Sequence, residues 1–246
     1  IGAGHGQRWS RGGHTVTIDQ RLAALAHLYR VYDQFCDSLD NLACRKFCAD
    51  CCSRNVTMTT LEGLYLLQGL DAAQQGACLA ALRQGGDQVV FRPRYTTNQI
   101  AALCRDGHDA PEDDAVHDGS RCALLTDAAC SLYGLRPFGC RCMVSRQPCA
   151  TKGYADVDDW VLTVNTVFLQ TIEHIDRPGC FGNMQDVLQA LGRDDWRAAY
   201  RNGRPSTEAS RLIPNQAAPV LMVPPEHQAK MKPILAEIQQ GLRFVS

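Results

Sequence analysis

The chain is organised around nine residues that hold four of its 13 cysteines: Cys44-Arg45-Lys46-Phe47-Cys48-Ala49-Asp50-Cys51-Cys52. A second cysteine-rich stretch lies further along the chain, and its cysteines are Cys122, Cys130, Cys140 and Cys142. Together the two stretches offer eight sulfurs, enough for a metal site that two distant segments come together to build. Thiolates are ligands of zinc, Cu(I) and iron–sulfur clusters, and they do not suit magnesium or calcium. The sequence therefore predicts a cysteine-ligated metalloprotein with these eight cysteines as candidate ligands.

The composition is that of a globular protein. The chain has 246 residues, of which 45% are hydrophobic and 21% charged, and its formal net charge is −1. This near-neutral balance removes the usual electrostatic reason to expect nucleic-acid binding. No apolar run approaches the ~20 residues that a membrane-spanning helix needs, and the first residues lack the hydrophobic core of a signal peptide. We expect a soluble cytoplasmic protein that binds neither nucleic acid nor membrane, with a protein or small molecule as its partner.

The cysteines can also be interpreted as a disulfide framework. Such frameworks belong mainly to secreted chains that are much shorter than this one. Here the number of cysteines is odd, they are clustered, and Cys51 is adjacent to Cys52. Tight clusters in a chain without an export signal favour metal binding over disulfides.

Hydrophobic periodicity predicts a mainly α fold. Apolar residues repeat at spacings of three and four from Ile18 to about Leu39, and Thr59-Thr60-Leu61-Glu62 has the pattern of a capping box ahead of an apolar run. Further helices are predicted over residues 61–70, 72–83, 98–105, 157–175, 184–191, 194–200 and 224–244, the last with a kink or break at Pro233.

Short β elements are expected within this helical frame. The second cysteine cluster is predicted to form a hairpin in which Cys122–Leu125 and Cys130–Tyr133 flank a tight turn. Cys140-Arg141-Cys142 is predicted to be an extended strand with both sulfurs on one side. Val220–Val223 is predicted to be a further strand.

One compact α(+β) domain with a small cysteine-rich β-hairpin element is therefore expected. Its predicted parts are a mobile N-terminal arm at 1–15 and a single domain at 16–246, which contains a cysteine-cluster metal-binding region at 44–142 and a helical C-terminal part at 150–246.

The spacing of the cysteines restricts how they can share a metal. Side chains of adjacent residues point in different directions, so Cys51 and Cys52 are not expected to ligate one mononuclear ion. Eight thiolates fit two four-cysteine zinc sites, one iron–sulfur cluster with spare thiols, or two clusters. The Cys-x3-Cys-x2-Cys spacing is also that of radical S-adenosylmethionine enzymes, but here it follows a predicted helix and not a strand of a parallel barrel.

Three arginines border the second cluster, namely Arg121, Arg136 and Arg141. Their guanidinium groups could lower the pKa of nearby thiols or bind an anionic substrate or partner carboxylate. In the alternative interpretation Arg136 and Arg141 only brace the turn and pair with carboxylates. The acidic loop Asp106–Gly119 enters the same cluster, and its composition predicts a mobile gate beside the metal.

The order of the motifs resembles that of a known family. After the first cluster come Thr59 to Glu62, Arg121-Cys122-Ala123-Leu124-Leu125, Cys130-Ser131-Leu132-Tyr133 and Arg136-Pro137-Phe138-Gly139-Cys140-Arg141. Residues 44–142 in this way resemble the YkgJ-like family of zinc- or iron-chelating cysteine-cluster proteins. The resemblance implies metal chelation by the cysteines and no settled reaction. Because the family includes relatives of flagellin lysine methylases thought to carry an iron–sulfur centre, it also leaves a modifying enzyme open.

This chain departs from the family pattern in two respects. The first gap between cysteines is three residues, where two is common, and Cys142, Cys149 and Cys180 are additional to the pattern. The leading hypothesis is an iron–sulfur protein with a 4Fe–4S cluster, used for electron transfer or for cluster-dependent modification chemistry. The alternatives are a structural zinc-binding interaction module and a metallochaperone.

Overall fold

Helices make up most of the part of the chain that the computed structural model describes, residues 16–84, 90–111, 119–205 and 211–243. The α-helices in these ranges are α1 (Ile18–Asp37), α2 (Thr60–Gln68), α3 (Ala72–Gln84), α4 (Thr97–Arg105), α5 (Phe138–Arg141), α6 (Cys149–Lys152), α7 (Asp159–Ile175), α8 (Met184–Leu191), α9 (Asp194–Arg201) and α10 (Gln228–Leu242). The strands are β1 (Thr57–Thr59), β2 (Leu125–Thr126), β3 (Ala129–Cys130), β4 (Cys180–Asn183) and β5 (Ile213–Pro214). The prediction of a mainly α fold with a small β-hairpin is confirmed, and the predicted arm at 1–15 lies outside the described residues.

Three of the described helices begin with a capping box that has a threonine as its first residue. In each, a threonine side chain accepts from a backbone N–H three residues on, and the glutamine or glutamate there accepts from the threonine N–H. The pairs are Thr17 with Gln20 in α1, Thr59 with Glu62 in α2, and Thr96 with Gln99 in α4. The capping box predicted at Thr59–Glu62 is therefore present.

The core lies between α1, α2, α7, α8 and α10, which pack against one another through their apolar faces. An aromatic cluster extends this core towards the cysteines. The Tyr32 ring centroid lies 4.6 Å from that of Phe138 and 5.2 Å from that of Phe168. Because Phe138 is the first residue of α5 and is fully buried, this cluster fixes the short helix that carries Cys140. None of the described helices combines the length and the apolar character that crossing a bilayer requires.

A three-stranded antiparallel sheet of order β1-β4-β5 closes one side of the core. The strand predicted at Val220–Val223 is wrong, because no strand forms there. The Gln170 side chain of α7 satisfies that backbone instead, since its Nε2 donates to the Val220 carbonyl oxygen at 2.8 Å and its Oε1 accepts from the Met222 N–H at 2.8 Å. The central strand β4 is a buried four-residue segment that the sequence analysis assigned to no element.

The predicted strand at Cys140-Arg141-Cys142 is also wrong, because residues 138–141 form α5. Pro137 precedes the helix with φ −64°, and the buried Glu62 carboxylate accepts from the Phe138 N–H at 2.7 Å. These two features start a helical turn where the alternating cysteines suggested an extended chain. Of the kink or break predicted at Pro233, the break is absent, since α10 continues through this residue, and the kink stays a prediction.

Candidate metal centre

The two cysteine clusters meet along a short stretch of paired backbone. The Cys122 N–H donates to the Cys52 carbonyl oxygen at 3.0 Å, and the Arg54 N–H donates to the Ser120 carbonyl oxygen at 3.3 Å. Between them, Ser53 and Arg121 form an isolated antiparallel bridge. The end of the first cluster is thus fastened to the start of the second, as a site built from both segments requires.

Most of the candidate ligands line one cavity of about 740 Å³. The cysteines that line it are Cys36, Cys44, Cys48, Cys51, Cys52, Cys122, Cys130 and Cys140. Seven of these eight were predicted as ligands, and Cys36 of α1 was not. The eighth predicted ligand, Cys142, is not among the described residues that line this cavity, and its Sγ donates to the Gly139 carbonyl oxygen at 3.6 Å.

Four of the thiols form what we call the inner set: Cys52, Cys122, Cys130 and Cys140. The Cys52 thiol lies close enough to the other three to interact with each of them electrostatically. The predicted hairpin, confirmed with shorter strands β2 and β3, places Cys130 opposite Leu125. Cys140 comes from α5. Strand pairing, a hairpin and a packed helix therefore present the inner set.

The hairpin turn shows why these short strands pair. Asp127 and Ala128 connect β2 to β3, and both have positive φ, at 49° and 60°. A two-residue turn of this kind matches the twist of the flanking strands. The Ser131 N–H and hydroxyl both donate to the Leu124 carbonyl oxygen at 3.0 Å, which extends the pairing beyond Cys130.

A second group of thiols, which we call the outer set, consists of Cys44, Cys48, Cys51 and Cys149. The Cys44 thiol interacts electrostatically with the other three. Cys149 was not predicted as a ligand, and it is the first residue of α6. The one feature of the sequence that singled out Cys149 was that it is additional to the cysteines of the family pattern.

The thiols differ in how readily they ionise. The Cys51 thiol donates to the Cys52 sulfur, which lowers the pKa of Cys52 and raises that of Cys51. Burial raises the pKa of Cys44 to about 11, and it also raises the pKa of Cys122 and of Cys140. Raised values mean that these sulfurs are protonated near neutral pH unless a metal displaces the proton.

All 13 cysteines are free thiols, so none belongs to a disulfide. Among the described residues, no group of three or more His, Cys, Asp or Glu side chains has an arrangement that could hold a metal ion. The thiols instead line the walls of the cavity.

Glu62 connects the helical core to the cysteines, a role that its capping pattern alone did not indicate. Its carboxylate is 3% exposed and accepts from the Thr59 N–H at 2.8 Å, the Tyr29 hydroxyl at 2.9 Å and the Phe138 N–H at 2.7 Å. It therefore joins α1 and the start of α2 to the start of α5. Through Phe138, Glu62 fixes the helix that presents Cys140.

The two candidate binding arginines have different surroundings. Arg141 is 8% exposed, donates to both carboxylate oxygens of Asp33 at 3.0 Å, and lies over the Tyr29 ring at 4.3 Å from its centroid. Its other nitrogens donate to the carbonyl oxygens of Gly134 and Arg136. These contacts favour the bracing interpretation for Arg141.

Arg136 lines the cavity, with its guanidinium carbon 3.6 Å from the Tyr133 ring centroid. Its Nε donates to the Tyr133 carbonyl oxygen at 2.9 Å. A ligand-binding role for Arg136 stays a prediction.

Of the predicted gate at Asp106–Gly119, residues 112–118 lie outside the described residues, and residues 106–111 do not contribute to the described lining of the cavity.

Comparison with known proteins yields no relative. No family model matches the chain, and neither a curated protein nor a solved structure does so. What the site does must therefore be inferred from its thiols and from the side chains around them.

Proposed function

We propose that the protein is a metalloprotein whose cysteines hold an iron–sulfur cluster of the 4Fe–4S type at this cavity. The observation that carries the proposal is the convergence of two clusters, far apart in sequence, on one cavity lined by eight thiols. Thiolate sulfur is the ligand that iron–sulfur clusters use. All these thiols are free, as in proteins of a reducing compartment such as the cytoplasm.

The inner set would hold the cluster. It offers four thiols, the number that a 4Fe–4S cluster binds, and each comes from a backbone position fixed by pairing or packing. The thiols line a cavity and so suit a cluster, whose ligands bind different iron atoms. A single zinc ion, in contrast, needs four ligands at about 2.3 Å from one point.

The chain's own residues would tune such a site through burial and charge. Burial raises the pKa of Cys140, while the nearby Arg136 guanidinium opposes this effect. Ligation must therefore release protons, and Arg136 offsets part of the negative charge that the thiolates bring. A bound cluster would supply one-electron transfer, and the exposed Phe47 and Met143 side chains at the cavity leave it reachable by a partner.

Structural zinc is the second candidate, because four cysteines are also a common ligand set for structural zinc. Anaerobic purification followed by metal and sulfide analysis distinguishes the two. A coloured protein with about four iron and four acid-labile sulfide per chain supports the cluster. A colourless protein with stoichiometric zinc supports the zinc module.

Single substitutions test whether the inner set is the site. Cys130→Ser should lower the metal content, whereas Cys104→Ser should not, since Cys104 is an exposed residue of α4 and is not among the residues described as lining the cavity. If the wild-type chain holds no metal after anaerobic purification and reconstitution with iron and sulfide or with zinc, the proposal is wrong.

A further inference from the structure

We infer that the cavity also binds a small organic carboxylate, whose two oxygens accept from the guanidinium of Arg136 while its apolar body packs against the cavity walls. This inference goes beyond the proposed function, because its ligand is a second molecule and not the metal. It therefore depends on side chains other than the thiols.

Arg136 presents an oriented guanidinium to the cavity. Its guanidinium carbon lies 3.6 Å from the Tyr133 ring centroid, and its Nε donates to the Tyr133 carbonyl oxygen at 2.9 Å. These contacts hold the plane of the group and use only one of its five N–H donors. Within the described part of the chain, Nη1 and Nη2 of Arg136 have no hydrogen-bond or ion-pair partner. A fixed fork with free donors matches the two oxygens of a carboxylate.

Arg141 shows how a fully engaged guanidinium is arranged in the same cavity. Its Nη1 donates to both Asp33 carboxylate oxygens at 3.0 Å, its Nη2 to the Gly134 carbonyl oxygen at 2.8 Å, and its Nε to the Arg136 carbonyl oxygen at 2.9 Å. All three of its nitrogens are thus used within the protein. Of these two arginines, Arg136 is the one that keeps donors for a ligand.

The charged side chains of the described lining favour an anion. They are Arg45, Arg136, Arg141, Asp33 and Asp37. Arg141 and Asp33 neutralise each other, which leaves two cations and one acid. Neither Arg45 nor Arg136 has an acidic partner among the residues that the structure describes. This imbalance accommodates one negative charge, which a carboxylate carries, whereas a phosphate monoester carries about 1.5 to 2.

The cavity has room for an organic ligand beside a cluster. Its volume of about 740 Å³ lies within the roughly 300–1,000 Å³ of small-molecule sites in proteins. The eight iron and sulfide atoms of a 4Fe–4S cluster would take on the order of 240 Å³, even at the ~30 Å³ that one water molecule occupies in the liquid. The described lining also contains apolar side chains, among them Leu39, Leu42, Phe47, Leu125, Met143 and Val144. An inorganic anion would leave these side chains facing water, whereas an organic body covers them.

Isothermal titration calorimetry of the anaerobically purified full chain tests the inference, with phenylacetate and hexanoate as carboxylate probes. Phenylacetamide, the neutral match of phenylacetate, should bind at least about tenfold more weakly, because it offers no charge to the guanidinium. Arg136→Gln should weaken phenylacetate binding at least about tenfold, and Arg136→Lys, which keeps the charge without the fork, should restore part of the loss. Arg121→Gln is the matched control and should bind phenylacetate as the wild type does, because Arg121 borders the same cysteines but is exposed and is not among the residues described as lining the cavity.

Equal binding of phenylacetate by the wild type and by Arg136→Gln would overturn the inference, as would the absence of binding by both carboxylates up to about 10 mM. Binding of phenyl phosphate in place of either carboxylate would overturn the assigned ligand class. Should Arg136→Gln fail to fold, Arg136→Lys and the comparison of phenylacetate with phenylacetamide on the wild type decide the matter. Metal analysis of the same samples separates this inference from the proposed function. Carboxylate binding by a protein without metal would uphold the inference and overturn the proposed function, and a metal-loaded protein that binds neither carboxylate would do the reverse.

Discussion

At the scale of single residues, Asp176 is the most heavily engaged side chain away from the cysteines. It is fully buried, and its carboxylate accepts from Arg21 at 3.2 Å, from the Thr60 hydroxyl at 2.7 Å and from the Tyr200 hydroxyl at 2.7 Å. The Leu61 N–H and the Asn215 side chain also donate to it, each at 3.0 Å. Elements distant in sequence are thus joined at one carboxylate at the end of α7.

The stability of the protein should depend on pH through the ionisation of Asp176. Burial raises its carboxyl pKa from 3.8 to about 6, so between these values the folded state binds a proton that the unfolded state releases. Below about pH 4 this bound proton adds up to about 3 kcal/mol to the free energy of unfolding. The added stability is lost as the pH rises to about 6. Denaturant titrations at several pH values should show the fall in the wild type and not in Asp176→Asn. The control variant Asp109→Asn, at an exposed position, should show the same fall in stability with pH as the wild type. An equal dependence of the free energy of unfolding on pH in all three proteins would contradict the prediction.

Gly139 is required by a close approach of two backbones. A Cβ there would lie 2.7 Å from the Thr57 carbonyl oxygen of β1, which as a backbone atom cannot move away cheaply. Gly139→Ala should therefore displace α5 and destabilise the protein by about 1–3 kcal/mol. It should also lower the metal content, because α5 carries the proposed ligand Cys140. Gly134→Ala is the control, because a Cβ at that position meets nothing within 4 Å. Thermal melts and metal analysis of the two variants check this, and equal behaviour would show that α5 tolerates the displacement.

At the scale of elements, the capping boxes allow a matched comparison. Glu62 caps α2 and also holds Phe138 at the start of α5, whereas Gln20 caps α1 by the same hydrogen bonds at an exposed position. Gln20→Ala should cost about 1 kcal/mol or less, the usual loss for a cap, and leave metal binding unchanged. Glu62→Ala should cost more, because it leaves the Tyr29 hydroxyl and the Phe138 N–H buried without an acceptor, and it should lower the metal content. If both variants lose stability equally and bind metal normally, Glu62 is only a cap.

Elements whose signal is local could be predicted from the sequence, and elements made by distant contacts could not. The helices α1, α2, α4, α7 and α8 follow from apolar spacing and capping residues that lie within each segment. The errors at residues 140–142 and 220–223 have a different origin. There the backbone is satisfied by Glu62 and by Gln170, which are far away in sequence. Nothing within either short segment indicates such a partner.

At the scale of the whole molecule, the sequence predicted that the two cysteine clusters come together but not which other cysteines lie beside them. Composition and motif order identify the cysteine-rich segments, and the backbone pairing of Cys52 with Cys122 joins them. The placement of Cys149 near Cys44 depends on the turn that is anchored at Ser145, and the presence of Cys36 in the cavity lining depends on how α1 packs beside the loop. These are tertiary features, which the spacing of cysteines along the chain does not indicate.

Metal removal should affect the two parts of the molecule differently. The buried core is built from side chains of the helices, and the loop between α1 and β1 contributes little to it. That loop is held by turns and, on our proposal, by its thiolate ligand Cys52, so its order should depend on metal. The exposed Arg45 and Lys46 lie between Cys44 and Cys48 and are natural trypsin sites within it.

We therefore expect chelation under anaerobic, reducing conditions to leave most of the helical far-UV circular dichroism in place and to lower the Tm. Trypsin should cleave after Arg45 or Lys46 much faster in the metal-free protein, because its ligand Cys52 no longer fixes the end of the loop. Cleavage after Arg105, an exposed residue at the end of α4, provides the internal reference and should keep its rate. If chelation unfolds the helices as well, metal also stabilises the helical core. Unchanged cleavage at residues 45 and 46 would show that the loop is ordered without metal.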